Sequence, residues 1–124
     1  MVIQDDDDST KDVIKIVNGA DKDDAIALRL NDDFCLARDG DDLVWGGTGH
    51  DVIFGENGND QIWGGRGYDR VIGGTGNDTL LADLRNDSLS GWGGADLLEG
   101  DQAMMSLSAT RQMTNFWDTV VTTF

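Results

Sequence analysis

GGTGHDVIF, GENGNDQIW, GGRGYDRVI and GGTGNDTLL follow one another over residues 46–81, one nine-residue phrase written four times. Each copy has Gly at its first and fourth places, Asp at its sixth, and a branched aliphatic residue at its eighth: Ile53, Ile62, Val71 and Leu80. A fixed period of this kind implies a stacked architecture, in which each copy buries its apolar face only against its neighbours. The register reaches beyond the four clean copies. Steps of nine from Asp24 meet Asp33, Asp42, Asp51, Asp60, Asp69, Asp78, Asp87 and Asp96 without a miss. Two places after each stands an apolar residue, adding Ile26, Cys35, Val44, Leu89 and Leu98 to the four above. Asp makes up 22 of the 124 residues, so nine consecutive hits by accident have odds on the order of one in a million.

On either side the phrase decays. Residues 37–45, ARDGDDLVW, stay close to it, with Gly40 at the fourth place. Residues 19–36, GADKDDAIA and LRLNDDFCL, keep the Asp and the eighth-place residue but carry Lys22 and Asn31 at the fourth place and Leu28 at the first. They read as coils of the same fold with weaker or absent ion sites. Residues 82–90 are degenerate again, with Arg85 at the fourth place; residues 91–99, GWGGADLLE, recover, and Gly100-Asp101 starts a turn that is not completed.

The chain thus divides into four stretches. Residues 1–12 carry Asp5 to Asp8 and are predicted to be disordered, because like charges in a row repel and bury nothing. Residues 13–36 form an N-terminal cap with the degenerate repeats; its β-prone run VIKIV ends at the turn signal Asn18-Gly19. Residues 37–101 form the ion-binding stack. In residues 102–124 the repeat stops, and Met113, Phe116, Trp117, Val120, Val121 and Phe124 recur at helical spacing, predicting a helical cap on the last coil.

The chemistry of the phrase points to a hard cation. Glycines such as Gly46, Gly49, Gly55, Gly58, Gly64, Gly67, Gly73 and Gly76, with Gly47, Gly65 and Gly74 beside them, let the chain turn through positive φ without Cβ strain. Such a turn aims backbone carbonyls inward, and the sixth-place Asp adds a carboxylate. Oxygen ligands in loose geometry suit calcium better than magnesium. The next three residues make a short strand with its middle side chain inward. Two turns close one flattened 18-residue coil, and coils stack as parallel strands about 4.8 Å apart. One edge of the stack then carries Asp24, Asp42, Asp60, Asp78 and Asp96, and the other Asp33, Asp51, Asp69 and Asp87. A carboxylate column at that spacing repels itself unless cations sit between its members.

Composition narrows the partners. The net charge is −15, which disfavours nucleic acid and favours cations. Proline is absent. The single cysteine, Cys35, excludes an internal disulfide and occupies an inward eighth place, as a small apolar residue would. MVIQDDDD lacks the basic start and apolar run of a cleaved secretory signal, and no stretch reaches the roughly 20 apolar residues of a membrane helix. His50, the one histidine, sits at a variable turn place and reads as a surface residue. With one His and no G-x-S-x-G elbow, the chain carries no zinc-protease or lipase motif and is not expected to be an enzyme by itself.

The repeat resembles the RTX, or haemolysin-type calcium-binding, family, closely over residues 37–101 and weakly over 19–36. The resemblance implies an all-β fold, a right-handed parallel β-roll (β-solenoid), with each calcium shared between a turn and the turn one coil later. Carried over by residue, it implies sites pairing Asp42 with Asp60, Asp51 with Asp69, Asp60 with Asp78 and Asp78 with Asp96, four to six ions in all. At the Asp69–Asp87 pair the Arg85 guanidinium is expected to replace an ion in part. The family further implies folding on calcium outside the cell, type I export from a Gram-negative bacterium, and an uncleaved C-terminal signal, which the tail ending VVTTF resembles. A fused effector domain would be the partner. The outward ninth places hold Trp45, Trp63 and Leu81 on one face and Leu36, Phe54 and Ile72 on the other. The first reading is that a tail helix or neighbouring domain covers them. The second, by analogy with the family's alginate-modifying enzymes, is that Trp45, Trp63 and Phe54 stack on a polysaccharide.

Overall fold

The computed structural model describes residues 2–4, 15–83, 87–100, 106–108 and 119–122, with side chains over 16–83 and 87–100. Those residues form thirteen strands, numbered in chain order, in two sheets with parallel pairing throughout. The seven-stranded sheet runs β1 (Val2–Gln4), β3 (Ala25–Ala27), β5 (Leu43–Trp45), β7 (Gln61–Trp63), β9 (Thr79–Ala82), β11 (Leu97–Gly100), β13 (Thr119–Thr122). The six-stranded sheet runs β2 (Lys15–Asn18), β4 (Asp33–Asp39), β6 (Val52–Asn57), β8 (Arg70–Thr75), β10 (Ser88–Gly93), β12 (Ser106–Ser108). Odd strands lie in one sheet and even strands in the other, so the chain crosses at every turn and returns after two. This is a β-solenoid with the 18-residue coil expected from two nine-residue turns: Ile26 pairs with Val44 and Val44 with Ile62, while Cys35 pairs with Ile53 and Ile53 with Val71.

The core is the eighth-place column of each sheet. Ile26, Val44, Ile62, Leu80 and Leu98 on one side and Cys35, Ile53, Val71 and Leu89 on the other are wholly buried. Their strand neighbours face outward, as the alternation of a pleated strand requires. Burial pushes the Cys35 thiol up to about 12, with the carboxylates of Asp42 and Asp33 adding to it, so it is an inert core residue. The two sheets are unequal. β4, β6, β8 and β10 run six or seven residues, because their pairing continues into the turn, whereas β3, β5 and β7 stop at three.

The ends depart from the sequence-based expectations. Val2–Gln4, placed in a disordered terminus, is a strand with Ile3 opposite Ile26. A β-prone VIQ has an unpaired sheet edge to join, and backbone pairing there outweighs the charge of the Asp run that follows. Residues 5–12 lie outside the described ones, as do Val13 and Ile14. At the other end the coil does not stop at Gln102: Leu107 sits opposite Leu89 in β12, one further step of 18. Val120 and Val121, expected on a helical face, are in β13, where Val120 opposes Leu98. Their β-branched run Thr-Val-Val-Thr favours a strand, and the edge of β11 supplies the hydrogen bonds. Met113, Phe116, Trp117 and Phe124 lie outside the described residues. Among the described residues there is no helix long and apolar enough to cross a membrane.

Candidate metal centres

Each turn between sheets is shaped by the first four places of the phrase. From Leu28 to Gly76, and again at Trp92 and Gly94, the second and fourth places take positive φ. At the second, Gly47, Gly65 and Gly74 share this region with Arg29, Arg38, Glu56 and Trp92, whose φ lies between 72° and 85°. Side chains are tolerated there because that is the ordinary left-handed region. The fourth place is stricter: Gly49, Gly58, Gly67 and Gly76 have φ of 117–139°, and a Cβ on Gly67 would lie 1.6 Å from the carbonyl oxygen of Gly49 one coil earlier. In the degenerate coil Asn31 fills this place by relaxing to φ 74°.

The first-place glycines Gly46, Gly55, Gly64 and Gly73 serve a different need, since their φ is not positive. They leave room for the carboxylate of their own turn. A Cβ on Gly55 would lie 2.3 Å from Asp60 Oδ2 and 2.5 Å from the carbonyl oxygen of Gly73; on Gly46, the same construction meets Asp51 Oδ2 at 2.9 Å and the Gly64 carbonyl at 2.2 Å. A carboxylate oxygen and a carbonyl oxygen thus stand where a side chain at the first place would have to go.

The sixth-place Asp residues form two columns. Asp24, Asp33, Asp42, Asp51, Asp60, Asp69, Asp78, Asp87 and Asp96 are each at most 3% exposed. Along each column one oxygen has a fixed duty: Asp42 N–H donates to Asp60 Oδ1, Asp51 N–H to Asp69 Oδ1, Asp60 N–H to Asp78 Oδ1, all at 2.9 Å. The other oxygen, Oδ2, of Asp42, Asp51, Asp60, Asp69, Asp78 and Asp87 is buried with no hydrogen-bond partner. A buried carboxylate oxygen left this way is costly without a proton or a cation. The carboxyls respond accordingly. Burial raises Asp51 and Asp78 to about 8, Asp60 to about 7, and Asp42, Asp69 and Asp87 to about 6. The N–H donated along the column pulls each back, and nearby carboxylates push further. Two columns of buried carboxylates, each with one oxygen bonded and the other orphaned, fit a hard divalent cation. Arg85 lies outside the described residues.

A second ladder, on the fifth place, went unread in the sequence. Asp23, Asp32, Asp41, His50, Asn59 and Asn77 each accept the N–H of the fifth-place residue one coil later, at 2.8 or 2.9 Å. It runs opposite to the Asp column, whose carboxylates accept from the coil before. The signal was the polar acceptor standing before nearly every sixth-place Asp. His50 is exposed, yet its place is not free: Nδ1 accepts the Tyr68 N–H, and the two rings lie 5.0 Å apart. Between neighbouring strands, Trp45 stacks on Trp63 with centroids 5.4 Å apart and planes 6° from parallel, and Phe54 meets Phe34 at 5.6 Å.

Residues 36–71 and 72–102, together more than half of the chain, match the family model of the RTX calcium-binding nonapeptide repeat (four copies). No curated protein and no solved structure matches the chain. With the repeat, the solenoid it builds and the family model in agreement, the chain belongs to the RTX calcium-binding nonapeptide repeat family.

Proposed function

We propose that this chain is a calcium-dependent β-roll module, non-catalytic in itself, whose folding is coupled to ion binding and which supports the export and stability of an extracellular protein. The observation that carries the reading is the two columns of buried Oδ2 oxygens at Asp42, Asp51, Asp60, Asp69, Asp78 and Asp87, which have no hydrogen-bond partner among the described residues. Calcium would neutralise each column and tie coil to coil, so that binding free energy becomes folding free energy. Extracellular modules of this sort bind at about 10⁻⁴ to 10⁻³ M, so a low-calcium cytosol would leave the chain unfolded and the exterior would fold it. Far-UV circular dichroism over a calcium titration to about 10 mM tests this, with magnesium as control. A cooperative gain of β signal with calcium alone is the expected result. A chain fully folded in chelator at neutral pH would remove the coupling and the export account built on it.

A second reading, a polysaccharide-binding module, is favoured by one observation: Trp45 is 42% exposed on the outer face of its sheet. Against it, Trp45 and Trp63 each spend one ring face on the other, which leaves less aromatic face for a sugar. The double variant Trp45→Ala, Trp63→Ala separates the readings. Retention on a polysaccharide column should be the same for variant and parent, both folded by calcium; a loss confined to the variant would favour the sugar.

A further inference from the structure

The nine Asp turns are alike at the sixth place and unlike at the first. In six of them, those of Asp24, Asp51, Asp60, Asp69, Asp78 and Asp96, the first place is Gly, and a Cβ there would lie 2.3–2.9 Å from the turn's own Asp Oδ2. In the other three, those of Asp33, Asp42 and Asp87, the first place holds Leu28, Ala37 and Ala82, at most 5% exposed. An oxygen cannot stand at that distance from a saturated carbon. In the turns of Asp42 and Asp87, Oδ1 keeps its column hydrogen bond at 2.8 Å, so the adjustment to the side chain falls on Oδ2 or on the strand entry.

We infer that the first-place residue sorts this chain's calcium sites into two affinity classes, with Leu28, Ala37 and Ala82 each weakening the sites that their turn helps to build. The inference rests on the calcium reading above and on each site being shared by two turns one coil apart. Three pairs are then glycine-lined in both turns: Asp51 with Asp69, Asp60 with Asp78, and Asp78 with Asp96. The pair of Asp42 with Asp60, which looks complete by its Gly40 and Gly58, joins the weak class through Ala37, and the pair of Asp69 with Asp87 joins it through Ala82. Tight sites gather over residues 46–96 and weak ones flank them, so the centre of the roll fills and orders first. Displaced supporting groups at metal sites typically cost 10–100-fold in affinity, and a separation on the order of 10-fold is expected here.

Calorimetric titration of calcium into the chelator-stripped intact chain tests this, beside Ala37→Gly and Gly73→Ala. The parent should show two classes of site. Ala37→Gly should add at least one site to the tight class, although glycine gains nothing for the backbone here and would, as a purely structural change, leave binding the same or weaker. Gly73→Ala should remove both sites that share the Asp78 turn, with circular dichroism at saturating calcium reporting whether it still folds. A single class in the parent, or a tight class unchanged in Ala37→Gly, overturns the inference while leaving calcium binding intact. Absence of any calcium binding overturns the functional reading and the inference with it.

Discussion

At the scale of the residue, glycine does three separate jobs that the sequence writes with one letter. At the second place it relieves a left-handed φ that Glu56 and Trp92 also accept; at the fourth it takes a wider positive φ, 117–139° in the four clean copies, against the coil before; at the first, where φ is not positive, it makes room for a carboxylate. The consequences of substitution differ accordingly. Gly67→Ala forces a side chain onto φ 139° and against Gly49, and should cost about 2–4 kcal/mol in urea unfolding at saturating calcium. Glu56→Gly, which relaxes a φ of 78° at an exposed position, should gain up to about 1 kcal/mol in the same measurement. Equal losses from both changes would mean that turn conformation and stacking are not what the fourth place protects. The phrase itself disclosed where glycines recur, but not why, because the reason for the first and fourth places lies in atoms of another part of the coil or of the coil beside it.

At the scale of the element, the eighth-place column was legible and the ends were not. Ile26 to Leu98 keep the step of nine, and each is buried where that step puts it. Leu107 keeps it too, one step past Leu98, but the glycines that make the step visible have gone by then. At β13 the step itself changes: Val120 follows its partner Leu98 by 22 residues, and Ile3 precedes Ile26 by 23. Insertions of four and five residues hide both strands from any search at fixed period. Local propensity misleads as well, since Val120 and Val121 also fall at helical spacing from Phe116 and Trp117. What decides for a strand is the edge of β11, a partner far along the chain.

At the scale of the whole molecule, the net charge of −15 and the two buried Asp columns set the dependence on pH. In chelator, the carboxyls of Asp51 and Asp78 stand near 8 in the fold, Asp60 near 7, and Asp42, Asp69 and Asp87 near 6, against an ordinary 3.8. A raised folded value means that the fold holds its protons more tightly than the unfolded chain. This contribution to stability is complete below about pH 3.8 and fades as pH rises through 6 to 8. Acid should therefore substitute in part for calcium: β signal in chelator should grow as pH falls from 8 to about 4, while calcium affinity drops because protons compete for the same oxygens. Circular dichroism against pH, with and without calcium, reads both; a chelated chain that loses β signal on acidification would contradict the buried columns. By itself the sequence determined the coil, the two Asp edges and the inward column, because a strict period makes local spacing and spatial neighbourhood the same thing. Only the tertiary structure decided which oxygen of each Asp is already bonded, which first places crowd a carboxylate, and how the terminal strands join. Those follow from contacts between coils and from edges met after irregular insertions, and no single phrase contains them.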